Sequence, residues 1–135
     1  MIYVDSNIFI SAVLYGDAGA QKAKSLLIEI AEGRMPAYTS TLTWDELVWA
    51  ISKLSGKEKA NVEGRKFMEF PNLRFVPADF QIISEAQRLM EKYGIRPRDA
   101  IHASSALSKG LNKMVSEDAD FDSIREIKRI SLQKG

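Results

Sequence analysis

Short apolar, β-prone runs alternate along this chain with segments of helical periodicity, and that alternation constrains the fold more than any other feature. Ile2-Tyr3-Val4 reads as a buried strand ended by the polar Asp5-Ser6-Asn7, where Ser6 or Asn7 is placed to cap a short helix over Ile8 to Leu14 that stops near Gly16. From Ala20 to Glu32, the residues Ala23, Leu26, Leu27 and Ile30 recur at helical spacing, and Gly33 follows as a C-cap. Pro36 to Ser40 allows a second strand, after which Trp44, Leu47, Val48 and Ile51 mark another helical face up to about Ser55. A charged helix from Lys57 is expected to end before Pro71, and Leu73 to Val76 is strand-like. Pro77-Ala78-Asp79 supplies a turn and a cap for the amphipathic helix of Ile82, Ile83, Ala86, Leu89, Met90 and Tyr93, which Gly94 terminates. Pro97 suits the first turn of the next helix, running to about Lys109, and Lys113-Met114-Val115 and Ile127 to Ile130 are the last strand candidates.

This order predicts an α/β fold with a mainly parallel sheet of four or five strands covered by helices on both faces. At 135 residues the chain has the length of one domain, expected to span 1–135, with no internal repeat or low-complexity linker to divide it. A formal charge of +1 gives no global field toward nucleic acid or membrane, so binding to a polyanion must use a local patch. The absence of cysteine removes disulfides, thiolate zinc sites and cysteine nucleophiles. No apolar run reaches the length of a membrane span and no secretory leader is apparent, so a cytoplasmic protein is expected.

Ligands bind such sheets at the carboxyl ends of the strands. Asp5 follows the first strand directly, Asp118 lies just beyond the fourth, and Glu46 sits at the start of the helix after the second. Asp99 has no strand immediately before it. Carboxylates converging without cysteine suit a hard cation, Mg²⁺ or Mn²⁺, which relieves their mutual repulsion and can hold a phosphodiester. Each acid also has a purely structural reading. Thr43-Trp44-Asp45-Glu46 has the form of a capping box, Asp99 lies where an acid favours the helix dipole, and Asp118, Asp120 and Asp122 fit a solvated acidic turn. His102, the one histidine, stands one helical turn after Asp99, and a general-base role requires it to reach the cleft. The acidic turn lacks the central glycine and terminal glutamate of a calcium-binding EF-hand, and the chain has no glycine-rich phosphate loop.

Taken together, Tyr3-Val4-Asp5-Ser6-Asn7, Thr43-Trp44-Asp45-Glu46, Arg96-Pro97-Arg98-Asp99-Ala100-Ile101-His102-Ala103 and Ser116-Glu117-Asp118-Ala119-Asp120-Phe121 resemble the PIN-domain nucleases across essentially the whole chain. The small single-domain form and the Arg-Asp-Ala-Ile-His-Ala run look like the VapC-type toxins of prokaryotic toxin–antitoxin pairs. The resemblance implies a Rossmann-like sheet whose acids bind Mg²⁺ or Mn²⁺ and hydrolyse RNA, in a protein that is often a homodimer inhibited by a cognate antitoxin. It matches Asp5, Glu46 and Asp99 to the first three acids and Asp118 to the fourth, with Asp120 as the rival. Asp5, Asp99 and Asp118 are then the metal ligands, and Glu46 positions the metal or the water. Ser6 and Asn7 stand where polar neighbours of the first acid are usual, and Ser116 where threonine is commoner; these three and Asp120 are placed to orient the ligands. Arg96 and Arg98 are the nearest basic residues to draw in RNA. Lys53, Lys57, Lys59, Arg65 and Lys66 form a second basic run, read as an exposed face. Trp49, off the apolar stripe of its helix, belongs either to a dimer or antitoxin surface or beneath the charged helix that follows.

Two other function classes stand beside this one. A non-catalytic PIN-fold module binding RNA or protein is the alternative, and metal-dependent cleavage lost on changing Asp5 separates the two. A phosphoacceptor receiver domain needs an acceptor aspartate after the third strand, and Leu73-Arg74-Phe75-Val76-Pro77 supplies none.

Overall fold

The computed structural model describes residues 1–133; residues 134 and 135, the end of the expected domain, lie outside them. In chain order the elements are β1 (Ile2–Val4), α1 (Ser6–Leu14), α2 (Ala18–Ala31), β2 (Ala37–Ser40), α3 (Leu42–Ser55), α4 (Lys57–Met68), β3 (Leu73–Val76), α5 (Phe80–Tyr93), α6 (Pro97–Ser108), β4 (Lys113–Val115), a 3₁₀ turn (Ala119–Ser123) and β5 (Lys128–Ile130). The strands form one five-stranded sheet in the order β3-β2-β1-β4-β5, and every neighbouring pair is parallel. Chain order reverses between β1 and β4, whose register pairs Tyr3 with Met114 and Val4 with Val115. That junction is the crevice where open parallel sheets place ligands.

Two cores follow from the period-2 alternation of the central strands. Ile2, Val4 and Val115 face one side, where they pack with Ile8, Phe9, Ile30, Leu47, Ile51 and Phe67 from α1 to α4. Tyr3 and Met114 face the other, against Ala86 and Leu89 of α5, Ala100 and Ala103 of α6, and Phe121 and Ile124 around the 3₁₀ turn. Small residues on α6 let that helix lie close to the sheet, and this closeness carries Asp99, at its first turn, toward the crevice. Asp79 caps α5 through a hydrogen bond from Ile82 N, and Gly94 ends it at φ 68°, in the left-handed region that glycine tolerates. Among the described residues no helix is long and apolar enough to cross a membrane.

Local chemistry departs from the sequence reading at two helix starts. Asp5, not Ser6 or Asn7, caps α1: the strand passes into the helix without a loop, and Asp5 Oδ1 accepts from Ser6 N at 2.7 Å. The Thr43–Glu46 capping box does not form, because α3 begins at Leu42 and Thr43 lies inside it. Thr39 donates its hydroxyl to the Val4 carbonyl at 2.8 Å, so the 2.7 Å contact between the two threonine hydroxyls draws the Thr43 proton toward β2. Glu46 is thereby left free for a tertiary partner.

Candidate metal centre at the carboxyl edge of the sheet

Asp5, Glu46, Asp99 and Asp118 line one cleft of about 420 Å³, together with Ser6, Asn7 and the Arg96-Pro97-Arg98 segment. Four elements deliver the acids. Asp5 ends β1, Asp118 follows β4, Glu46 projects from α3, and Asp99 stands in the first turn of α6. Asp99 reaches the edge although no strand precedes it, since Pro97 starts α6 with its amino terminus pointing there.

The acids fall into two groups, each bridged by a basic side chain. In the first, ligand oxygens of Asp99, Asp118 and Asp120 all lie within 4.8 Å of one another. Arg96 spans them, with Nη2 at 3.0 Å from Asp120 Oδ2 and 3.6 Å from Asp118 Oδ2, and Nε at 3.5 Å from Asp99 Oδ2. In the second, His102 Nε2 lies 2.5 Å from Glu46 Oε1 and 3.5 Å from Asp5 Oδ1. Asp120 joins the first group but does not line the cleft that the other four share.

Ser116 ties the loops together. Its buried hydroxyl donates to Asp5 Oδ2 at 2.7 Å and accepts from Asn7 Nδ2 at 3.2 Å and Asp118 N at 3.0 Å. Ser6 donates its backbone N–H to the other Asp5 oxygen, Oδ1, and its hydroxyl lies 3.4 Å from that oxygen. Asp118 caps the 3₁₀ turn by accepting from Asp120 N, so the structural reading of that acid and its place in the cleft coexist. Arg98 is exposed at the rim and Arg96 is engaged with acids.

Burial pushes the Asp5 carboxyl above its ordinary range and the Glu46 charge adds to this, while the His102 charge and the Ser116 and Ser6 hydrogen bonds pull the other way. Burial also raises Asp99, reinforced by Asp118, with Arg96 opposing. Burial alone lowers His102; the Glu46 hydrogen bond and the charges of Asp5, Glu46 and Asp99 outweigh it, and the imidazole sits above its usual value. The surroundings therefore disfavour the charged forms of these two acids.

The donor set suits a hard divalent cation. Among the described residues the buried side-chain polar atoms without a hydrogen-bond partner are Asn7 Oδ1 and Asp99 Oδ2, and both residues line this cleft. Buried oxygens without a hydrogen-bond partner are costly in a folded protein, and a cation accepting their lone pairs removes that cost; Arg96 Nε, 3.5 Å from Asp99 Oδ2, offsets only part of it. A larger cavity, about 680 Å³ between β3, α5 and α6, offers no such group: its two carboxylates cap α5 (Asp79) or pair with Arg88 (Glu85).

Two contributors are not evident from sequence spacing. Tyr3, apolar by pattern, places its hydroxyl 2.7 Å from His102 Nδ1, and Arg129 of β5 donates to the Ser116 carbonyl at 3.2 Å while pairing with Asp122. A basic residue inside a short strand beside an acidic turn is the only signal the second one leaves. Trp49 is not covered by α4: it stands 56% exposed, with Lys53 over its ring. Lys53, Lys57, Lys59, Arg65 and Lys66 lie on an exposed surface, as expected.

The PIN domain family model matches residues 2–127. Solved structures of similar fold include the sarcin–ricin-loop-cleaving VapC toxin of Mycobacterium tuberculosis, with a TM-score of 0.77 and 19% identity over 93% of this chain and 95% of that one. A VapBC complex of Rickettsia felis bound to a promoter DNA fragment gives 0.72 and 20% over 97% and 98%. A toxin–antitoxin complex of Klebsiella pneumoniae gives 0.68 and 22% over 95% and 96%. Among curated proteins no sequence matches this chain.

Proposed function

Because this chain belongs to the PIN domain family, we propose that it is a divalent-cation-dependent endoribonuclease, the toxin of a VapBC-type pair, working in the cytoplasm on single-stranded or looped RNA. The observation that carries the proposal is the cleft itself: four carboxylates, two orphaned buried oxygens and a rim of arginines on the switch point of a parallel sheet. Asp5, Asp99 and Asp118 are assigned to hold the cation, Mg²⁺ or Mn²⁺. When bound, such an ion stabilises charge on the phosphodiester oxygens and makes water a better nucleophile.

The protein's own side chains set the rest. Ser116 and the Ser6 N–H fix both oxygens of Asp5, so its carboxylate is oriented before substrate arrives. Glu46 positions the metal or the attacking water from the α3 side of the cleft. Arg98, and Arg96 when released from its acids, attract the phosphates that the carboxylates repel. A cleft of this size admits an unpaired strand or a loop, and one similarly folded toxin acts on an RNA loop.

An antitoxin is assigned to the apolar face of α3 and α4, where Trp44 and Met68 are exposed beside Phe67 and Phe75 over a cavity of about 490 Å³. Phe80 and Ile83 of α5, exposed at 86% and 42%, support self-association as a homodimer. The test of the activity is incubation of the purified protein with labelled single-stranded RNA and Mg²⁺ or Mn²⁺, with EDTA and Asp5→Asn controls from the same host. Cleavage that needs metal and disappears in Asp5→Asn supports the nuclease. Cleavage persisting in the variant, or none across a broad RNA panel, removes it and leaves a binding module.

A further inference from the structure

Glu46 differs from the other cleft acids in how it is held. Asp5 and Asp118 are fixed by hydrogen bonds within the two loops that meet at Ser116, whereas Glu46 extends from the second turn of α3 on a side chain with three rotatable bonds. Its hydrogen bond runs to His102 Nε2 at 2.5 Å, on a different helix. His102 in turn meets Tyr3 Oη at 2.7 Å through Nδ1, with the rings edge to face at 5.8 Å. Tyr3 is fully buried in β1, the central strand, two residues before Asp5. A chain of contacts thus passes from the sheet through α6 to α3.

Donor and acceptor chemistry fixes the link of that chain to Glu46, and the charge of the ring sets the link to Tyr3. A carboxylate only accepts, so Nε2 carries the proton that faces Glu46. In the neutral ring Nδ1 is then a lone pair, and it accepts the phenolic proton of Tyr3, which burial keeps protonated. The opposite tautomer directs a lone pair at the carboxylate. His102 is 1% exposed and does not line the cleft, so it cannot meet substrate.

We infer that Tyr3 and His102 are a buried positioning pair whose task is to hold the Glu46 carboxylate at the cleft. The inference deepens the nuclease reading and rests on it. A histidine that merely fills the core stabilises the fold without acting through Glu46; a positioning pair acts chiefly through Glu46, at 2.5 Å from Nε2, with Asp5 Oδ1 at 3.5 Å from the same nitrogen.

The test uses the full chain with Tyr3→Phe, which keeps the ring and removes the donor, His102→Gln, Glu46→Gln, and the Tyr3→Phe/Glu46→Gln double variant. Mn²⁺ affinity is read by electron paramagnetic resonance of the free ion, kcat and KM on single-stranded RNA, and folding by urea midpoint. Loss of a group that orients a ligand costs roughly 10-fold or more in metal affinity or activity. Tyr3→Phe and His102→Gln are each expected to lower kcat by about that factor at nearly constant KM and to weaken Mn²⁺ binding. Tyr3→Phe adds nothing further once Glu46 is Gln. Unchanged kcat and Mn²⁺ affinity in folded Tyr3→Phe, or an undiminished Tyr3→Phe effect in the Glu46→Gln background, overturns the pair. Wild-type protein that neither binds Mn²⁺ nor cleaves RNA refutes the nuclease reading instead. The pair is then judged by a crystal structure of Tyr3→Phe, where a Glu46 carboxylate in its original place overturns it and a displaced one supports it.

Discussion

Ser116→Ala removes one oxygen atom and, with it, the junction of the β1–α1 connection and the loop after β4. The hydroxyl is fully buried, donates to Asp5 Oδ2 at 2.7 Å, and accepts from Asn7 Nδ2 and Asp118 N at 3.2 and 3.0 Å. A hydrogen bond to a charged group contributes about 1.5–3 kcal/mol. The two donors left behind are partly buried, and water recovers some of their bonding, so they add about 1 kcal/mol together. The expected loss is therefore about 2.5–4 kcal/mol, a large share of the 5–15 kcal/mol typical of a whole domain. With a urea slope of about 2 kcal/mol/M it lowers the midpoint by about 1–2 M. Mn²⁺ binding should weaken in parallel, because Asp5 loses the donor that orients it. Ser108→Ala, at an exposed serine bonded only to the Ser105 carbonyl, is the control and should stay within about 0.5 kcal/mol. A loss for Ser116→Ala no larger than that of the control refutes the hub.

Arg96→Gln frees Asp99, Asp118 and Asp120 from an internal cation, so Mn²⁺ should bind several-fold more tightly by calorimetry while KM for RNA rises; weaker Mn²⁺ binding contradicts this. Asp5 and Asp99 have raised folded-state pKa values, so their contribution to stability is fully present below the ordinary carboxylate range near about pH 4 and is lost as pH rises through the raised values. Urea midpoints of the metal-free protein should therefore fall more steeply from about pH 4 to about pH 7 than those of Asp5→Asn/Asp99→Asn, and saturating Mn²⁺ should lessen the fall; parallel profiles sink the argument. In Gly64→Ala the new Cβ meets Val48 Cγ2 at 2.9 Å and Trp44 Nε1 at 3.1 Å. Overpacking of about 1–3 kcal/mol exceeds the gain of about 1 kcal/mol in helix propensity, so tryptophan-monitored unfolding should show a net loss of about 1 kcal/mol, and a stabilised variant contradicts the tight α3–α4 contact.

Elements whose signals are local were readable in the sequence. The apolar strand Ile2 to Val4, the Asp79 cap and the Gly94 stop of α5, and Pro97 opening α6 all lie where composition, periodicity and cap chemistry put them. The failures have two causes: at α3 tertiary partners displace local ones, and at α1 the strand leads into the helix directly. Thr43 and Glu46 have capping-box spacing, yet Thr39 takes the hydroxyl and His102 takes the carboxylate. Asp5 caps α1 because it is the one residue between the end of β1 and the start of the helix, which strand and helix patterns read separately do not reveal. The candidate acids were legible as acids at element ends. Their division into two groups, one under Arg96 and one under His102, was not, since it depends on contacts such as the one joining Tyr3 to a residue 99 positions away.

Anomalous diffraction from crystals soaked in Mn²⁺ addresses the central claim most directly, because it locates a bound cation independently of any choice of RNA. The account predicts a manganese peak within ligand distance of the Asp99 and Asp118 carboxylates on the side facing Asp5, with Arg96 turned away from them. A cleft without a peak under saturating Mn²⁺, with Arg96 still across the three aspartates, contradicts it.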